Sequence, residues 1–494
     1  MEAIPVEVYA AAQVRAMDRY AIEQAGIPGY TLMQRAGAGA LATLRRRWPG
    51  VSSIAVLCGS GNNAGDGYVL ARLAVAAGLK AQVFALSDPA QLKGDAATAY
   101  ADFAAAGGRH ESFDASAFPG SGLVVDALLG TGADRPVEGM LRACIEAVNA
   151  SGLPVLALDI PSGLDADTGL PHGVAIRATC TITFVGLKSG LYLGEAPDHV
   201  GVLEFAGLGV PAAARAAQPP VLRRINEEIL AAALPPRRRT AHKGDNGRVL
   251  IVGGFAMAGA ARLAGEAALR TGAGLVGIAT TAKSAAAIVA GQPELICHAL
   301  RSAAGLEPLL VAADAVAIGP GLGLGRGMPK FLEAAAGAGK PLVIDADALT
   351  LLSRQPKMRA NWILTPHPGE AARLLGSDVA SVQHNRLDAV REIVERYGGI
   401  CVLKGAGTLV HSAAAGTWVC DRGNPGMATA GTGDVLTGVI VSLLAAGGDA
   451  LQCALAGVLL HAESGDRAAR AGQRGLIAGD LIAELHRAVN EPWK

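Results

Sequence analysis

The chain has no net charge: 43 Lys and Arg balance 43 Asp and Glu among 494 residues. A general nucleic-acid binder needs a basic excess, so that class is disfavoured, although a local basic pocket is not. Charged residues make up only 17% and hydrophobic residues 51%, which argues against disorder and allows a large core. The seven cysteines form no CxxC pair and no close Cys/His cluster. A disulfide framework and a structural zinc site are therefore not expected, and reduced thiols of a cytoplasmic protein are the simpler reading. The opening MEAIPVEVYA lacks the basic-then-apolar pattern of a secretory signal. The main candidate for a membrane span, Val435 to Gly448, has 14 residues where about 20 are needed, so a buried helix is expected there.

What the chain does contain is repeated strand, glycine turn and helix. Its length suits roughly two to four domains. Residues 12–47 read as two helices broken at IPGY, the second ending in Arg45 to Arg47, a solvated helix end. The run Ser53 to Cys58 reads as a buried parallel strand. It enters Gly59-Ser-Gly-Asn-Asn-Ala-Gly-Asp-Gly67, and a helix is expected from Tyr68. This is a phosphate-binding arrangement of an open α/β sheet, without dinucleotide GxGxxG spacing and without a Walker lysine. Further strands are expected at 81–86, 123–129 and 154–160. Asp66, Asp126 and Asp159 then fall on one sheet edge, where ligands of such folds bind. Asn63, Asp126 and Ser162 offer oxygens to a cation, and one carboxylate among neutral oxygens suits a monovalent ion.

Residues 211–220 are proline-bounded and read as a linker. A second α/β pattern follows, with strands at 248–252, 275–279, 315–318, 341–344, 362–364 and 400–403 and a hairpin over 409–419. Its strand ends carry GPGLG, DADAL, TPHPGE and KGAGT. Last comes NPGMATAGTGD, ending in Asp434. Free N–H groups at such a helix start favour an anion. A carboxylate placed there needs a task, such as taking a proton from a hydroxyl that attacks phosphate.

These motifs resemble two known families in tandem. NNAGDG at 62–67, GTGADRP at 130–136 and DIPSGLD at 159–165 resemble the epimerase of hydrated NADH and NADPH. HKGDNG at 242–247, GPGLG at 319–323, DADAL at 345–349, TPHPGE at 365–370, VLKGAGT at 402–408 and NPGMATAGTGD resemble the ADP- or ATP-dependent dehydratase of the same hydrates. The implied fold is an N-terminal Rossmann-like three-layer α/β domain over 1–215 followed by a C-terminal ribokinase-like α/β domain over 216–494.

The resemblance implies roles. Asn62, Asn63, Ala64, Gly65 and Asp66, with Gly130, Thr131, Gly132, Ala133, Asp134, Arg135 and Pro136, would bind the epimerase substrate. Asp159 would contact the reacting nicotinamide and act as acid–base group, and Asn63, Asp126 and Ser162 would hold K+. In the dehydratase, Ala260, Gly323, His367 and Asp434 would face the hydrate, with Asp434 catalytic. Lys404, Gly405, Ala406, Gly407, Thr408 and Gly433 would bind the nucleotide, Lys404 as a point charge for phosphate. Mg2+ is expected with ADP or ATP, held mainly by phosphates and water. The partners implied are the hydrates NADHX and NADPHX and the nucleotide, with no nucleic acid and no membrane, in a homo-oligomer. Two departures stand out: Ala64 replaces a usual glycine, and Gln34 a usual Glu. A sugar-type kinase fits the GTGD turn equally well, but not TPHPGE, KGAGT or the first half. A non-catalytic nucleotide sensor is disfavoured by the intact Asp159 and Asp434.

Overall fold

A computed structural model describes residues 2–114, 122–133 and 135–491. Asp134, one of the expected substrate contacts, lies outside the described residues. Contacts divide the chain into two units, Met1–Arg223 and Arg224–Lys494.

The first unit is built on β1 (Ser53–Cys58), β2 (Lys80–Ala85), β3 (His110–Ser112), β4 (Leu123–Ala127), β5 (Val155–Leu158), β6 (Cys180–Phe184) and β7 (Val202–Ala206). They pair in parallel in the order β3-β2-β1-β4-β5-β6-β7. Successive side chains of β1 serve two cores, as the two-residue period of a strand requires. Ile54, Val56 and Cys58 pack with α1 (Gly29–Arg47), α2 (Asn62–Ala76) and α3 (Gly94–Ala105). Ala55 and Leu57 pack with Cys144, Ile145 and Val148 of α4 (Gly139–Ser151). The strand order reverses between β1 and β4, so a crevice opens beyond their carboxyl ends.

Several expectations need correction here. The helix after β1 starts at Asn62, not Tyr68, so the NNAGDG stretch is helical. Its glycines serve packing: a Cβ on Gly67 would lie 2.6 Å from Ala127 Cβ, so α2 can press onto β4 only without one. Asp66 therefore lies in α2 and not in a loop, whereas Asp126 lies in β4 as expected and Asp159 just beyond β5. The Arg45–Arg47 cluster is more than a solvated end, because Arg46 and Arg47 both reach the buried Glu204 of β7 at 2.5 Å. The linker stretch contains a short helix, Ala212–Ala216.

The second unit contains β8 (Arg248–Val252), β9 (Leu275–Thr280), β10 (Ile296–Ala299), β11 (Ala315–Ile318), β12 (Leu342–Ile344), β13 (Trp362–Leu364) and β14 (Ile400–Leu403). These parallel strands follow the order β10-β9-β8-β11-β12-β13-β14, the same pattern as in the first unit. The hairpin β15 (Thr408–Ser412) and β16 (Gly416–Cys420) continues it antiparallel. Val249, Ile251, Ala315 and Ala317 pack under α5 (Ala258–Thr271), α8 (Thr432–Ala445) and α9 (Ala450–Ala468). Every residue of α8 from Val435 to Ala445 is buried. A Cβ on Gly438 would lie 2.1 Å from Ala264 O, so the glycine lets α8 touch the backbone of α5. Two more helices frame the site, α6 (Pro368–Leu375) and α7 (Arg386–Tyr397). Among the described residues no helix is long and apolar enough to cross a membrane. All seven cysteines are free thiols.

Candidate functional site

In the first unit the crevice between β1 and β4 gathers the oxygens singled out above. Asp126 is fully buried, and its Oδ2 accepts from Ser162 N at 2.8 Å. Its Oδ1 accepts from Ser162 Oγ at 2.5 Å and from Leu128 N at 3.2 Å. Burial pushes the Asp126 carboxyl up to about 6, against the pull of those bonds. Asn63, in the first turn of α2, donates through Nδ2 to Leu129 O at 2.8 Å. Ser162 Oγ accepts from Leu129 N at 2.8 Å, so one backbone residue ties Asn63 to Ser162. Asn63 Oδ1 is buried and has no partner. An orphaned buried oxygen is costly unless something absent completes it. The donor set is one carboxylate and neutral oxygens, which fits a monovalent cation. Among the described residues no group of three or more His, Cys, Asp or Glu is placed to hold a metal.

The expected binding loop lies alongside. A Cβ on Gly130 would be 3.5 Å from Asn63 Cβ, and Arg15 donates to Thr131 O at 2.9 Å. Gly132 faces open space, Ala133 N closes a turn onto Gly130 O at 3.3 Å, and Arg135 and Pro136 are exposed. Asn62 is exposed at the helix start. Ala64 is fully buried within α2, so its methyl joins the core and does not stiffen a loop. Gln34 is exposed on α1.

Asp159 follows β5 with φ of 66°, a left-handed conformation unusual for a residue with a side chain. Its carboxylate accepts from Phe184 N at 3.2 Å and is ion-paired with Lys188. Lys188 is 1% exposed, and its Nζ also donates to Thr183 Oγ1 at 3.0 Å and to Phe184 O at 2.9 Å. Two more acids share this field. Burial raises the carboxyl of Asp66 well above its usual range, with Asp159 and Asp18 adding and Lys188 opposing. Burial likewise pushes Asp18, in the helix Ala11–Glu23, up to about 6. Lys188 and Asp18 were not singled out from sequence. The available signal was GLKSG at 186–190, directly after a strand that the apolar pattern did not reveal.

In the second unit the crevice beyond β8 and β11 is closed by paired loops. Gly254 N donates to Pro320 O at 2.8 Å and Ala256 N to Gly321 O at 2.9 Å. Gly323 N donates to Asp347 Oδ2 at 2.7 Å, and a Cβ on Gly323 would lie 3.1 Å from Ala256 Cβ. Ala260 sits half-buried in the first turn of α5.

The GTGD turn opens α8. Gly431 caps it at φ of 92°, and Asp434 lies in its first turn. Lys404 reaches this turn: a Cβ on Gly433 would be 3.2 Å from Lys404 Nζ. Lys404 is also tied to two acids. Its Nζ donates to Asp345 Oδ1 at 2.8 Å and lies 3.7 Å from Glu370 Oε2. Asp345, 2% exposed, takes Thr437 Oγ1 of α8 on its other oxygen at 2.7 Å. Asp345 and Glu370 hold the Lys404 ammonium above its usual range against the opposing effect of burial. Burial, reinforced by Asp345 and opposed by Lys404, pushes Asp434 up to about 7. A carboxyl so poised suits a general base at neutral pH.

His367 caps α6: its Nδ1 accepts from Gly369 N at 3.0 Å, and its Nε2 lies 3.5 Å from Glu370 Oε1. Burial, then Lys404 and Arg373, lowers its pKa, so the ring is neutral and half exposed. His461 was missed from sequence. Burial lowers it to about 4, and its Nε2–H donates to Thr432 O at 2.8 Å, fixing the start of α8. The structure thus brings Lys404, Gly433 and Asp434 together, with Asp345 and Glu370 beside them.

The comparisons follow the same division. Residues 249–487 match the family described as NAD(P)H-hydrate dehydratase, and residues 29–190 the one described as YjeF-related protein N-terminus. The chain is 44% identical over 485 residues to the bifunctional NAD(P)H-hydrate repair enzyme Nnr of Coxiella burnetii, covering 98% of this chain and 99% of that one. It is 43% identical over 489 residues to the protein of the same name from Escherichia coli, covering 99% and 95%. A solved ribokinase-like superfamily protein from Enterococcus faecalis V583 is similar with a TM-score of 0.50 and 27% identity, over 54% of this chain and 95% of that one.

Proposed function

Because this chain belongs to the family of bifunctional NAD(P)H-hydrate repair enzymes, we propose that it returns hydrated NADH and NADPH to use in two steps. Residues 1–215 epimerise the R and S hydrates at carbon 6, and residues 216–494 dehydrate the S form with ADP or ATP. The observation that carries this reading is Asp434, poised at about 7 in a helix-start turn that Lys404 reaches.

Hydroxide is a poor leaving group, so the hydroxyl on carbon 6 must be converted. Asp434 takes its proton as the oxygen attacks the terminal phosphorus, and AMP (or ADP) departs. N–H groups of Gly433 and its neighbours stabilise the charge on the transferring group. The ring nitrogen then expels phosphate from carbon 6. Loss of a proton from carbon 5 to solvent restores the double bond. Lys404 to Thr408 seat the nucleotide, while Ala260, Gly323 and His367 face the hydrate. Mg2+ would be held mainly by phosphates and water and would supply neutralisation of phosphate charge.

In the first unit Asp159, aimed by its ion pair with Lys188, is the acid–base group: it takes the proton of the hydroxyl on carbon 6 as the bond from carbon 6 to the ring nitrogen breaks and that nitrogen is protonated, and the reverse steps close the ring on the other face. Asn62 to Asp66 and the loop from Gly130 bind the substrate. K+ held by Asn63, Asp126 and Ser162 would balance the buried Asp126 charge and engage Asn63 Oδ1. The enzyme works in the cytoplasm as a homo-oligomer on these small molecules alone. The direct test supplies a hydrate mixture with ADP or ATP and follows the near-ultraviolet absorbance of NADH. Full recovery is expected, and a stable phosphorylated product would point to a kinase instead.

A further inference from the structure

Beneath the KGAGT loop lies a buried arginine that the mechanism above does not use. Arg386 is the first residue of α7 and is 5% exposed. Its Nη1 donates to Gln383 Oε1 at 2.7 Å. Its Nη2 faces three carbonyl oxygens of the loop, those of Leu403, Lys404 and Gly407, each at 3.3 Å. Among the described residues its bonds therefore run only to neutral acceptors, and its buried Nε has no partner. The nearest acid on its own helix, Asp388, turns away to Asn385 and Arg391. Burial alone lowers the guanidinium to about 10, so it is charged at neutral pH. A buried charge without a counter-charge is costly, and such costs persist where a ligand relieves them.

The loop is shaped around this group. A Cβ on Gly405 would lie 3.0 Å from Arg386 Nη1, and Gly405 has φ of 138°, so the backbone lies directly on the guanidinium. The Lys404 carbonyl, drawn down to Arg386, turns the N–H of Gly405 to the opposite side of their planar peptide, while the Lys404 N–H is taken by Pro366 O at 2.9 Å. The Gly405 N–H thus lies on the side of the loop where an anion would sit.

We propose that Arg386 is a positioning residue for the nucleotide: it holds the KGAGT loop with the Gly405 N–H outward and supplies the counter-charge beneath the bound phosphates. The proposal rests on the reading of the second unit as nucleotide-dependent. It concerns nucleotide affinity and not the chemical step.

The test titrates Mg-ADP into the full chain by calorimetry and measures steady-state turnover of the S hydrate. R386M should weaken ADP binding by roughly 10–100-fold, the value of a charge-assisted bond set. R386K, which keeps the charge and loses the fork, should fall between the two. Turnover at saturating nucleotide and KM for the hydrate should both stay within about threefold of wild type. Unchanged ADP affinity in folded R386M, or a fall in turnover without a rise in the nucleotide KM, overturns the proposal. If R386M does not fold, R386K and G405A decide: both should raise the nucleotide KM selectively, and a uniform loss overturns it. Wild type that binds neither ADP nor ATP overturns both readings. Binding without hydrate turnover overturns only the proposed function.

Discussion

Asp345 Oδ1 lies 2.8 Å from Lys404 Nζ, and the same carboxylate holds Thr437 of α8 with its other oxygen at 2.7 Å. One buried acid therefore links Lys404 to the helix that carries Asp434. Asp345→Ala should strand a buried ammonium and cost roughly 3–5 kcal/mol of stability in the second unit. Urea melts should detect the loss. Thr437→Val, which removes one neutral-to-charged bond, should cost only about 1–3 kcal/mol. Equal stability of D345A and wild type would show that the pair is dispensable.

Asp434 should trade stability for activity. Its carboxyl titrates near 7 in the folded chain, against 3.8 ordinarily. The folded state therefore holds a proton that the unfolded state releases, and stability falls as pH rises from about 4 to about 7. Above that range the loss is constant. Asp434→Asn should remove this pH dependence and melt a few degrees higher at pH ~8, while dehydration falls by roughly 10²–10⁴-fold. In wild type, dehydration should rise with pH through about 7 as the base ionises. A pH-independent rate across that range would remove Asp434 from the base role.

Lys188→Met keeps the length of the side chain and deletes the partner of Asp159. Equilibration of the R and S hydrates, followed by chromatography, should slow by at least roughly tenfold. Nucleotide-dependent dehydration of pure S hydrate should be untouched, because Lys188 belongs to the first unit. Loss of both activities would instead indicate a folding defect.

Potassium dependence should trace to Asn63. Epimerisation should accelerate with KCl at constant ionic strength kept by choline chloride. Asn63→Leu removes the orphaned Oδ1 and should abolish that response. An Asn63→Leu variant that still responds to KCl would place the ion elsewhere.

Much of this architecture could be read from residues, for a physical reason. After their first residues Ser53 and Arg248, β1 and β8 are, like β11, unbroken apolar runs ended by glycine, which is how a strand buried on both faces must look. β6 and β7 escaped detection because each mixes polar residues into a buried strand. Thr181, Thr183 and Glu204 are all buried, and Glu204 is neutralised by Arg46 and Arg47 from a distant helix. Only tertiary structure supplies such partners. Missing β6 also hid Lys188, which follows it. The glycines of NNAGDG read as a loop because local preference for flexibility and distant need for close packing use the same residue. Lys404 and Asp434 were legible from their motifs. The role of Asp345 as their link was not, since DADAL alone does not reveal what its first carboxylate touches.

The burial of α8 has a dynamic meaning. Eleven successive buried residues, Val435 to Ala445, give its amides no easy route to local opening. They should exchange with deuterium only through unfolding of the whole second unit, among the slowest amides in the protein. The first turn, with Gly433 and Asp434, rides on that slowest-opening segment. Motion at this site is then left to the loops around the turn, while the Asp434 carboxyl itself stays still.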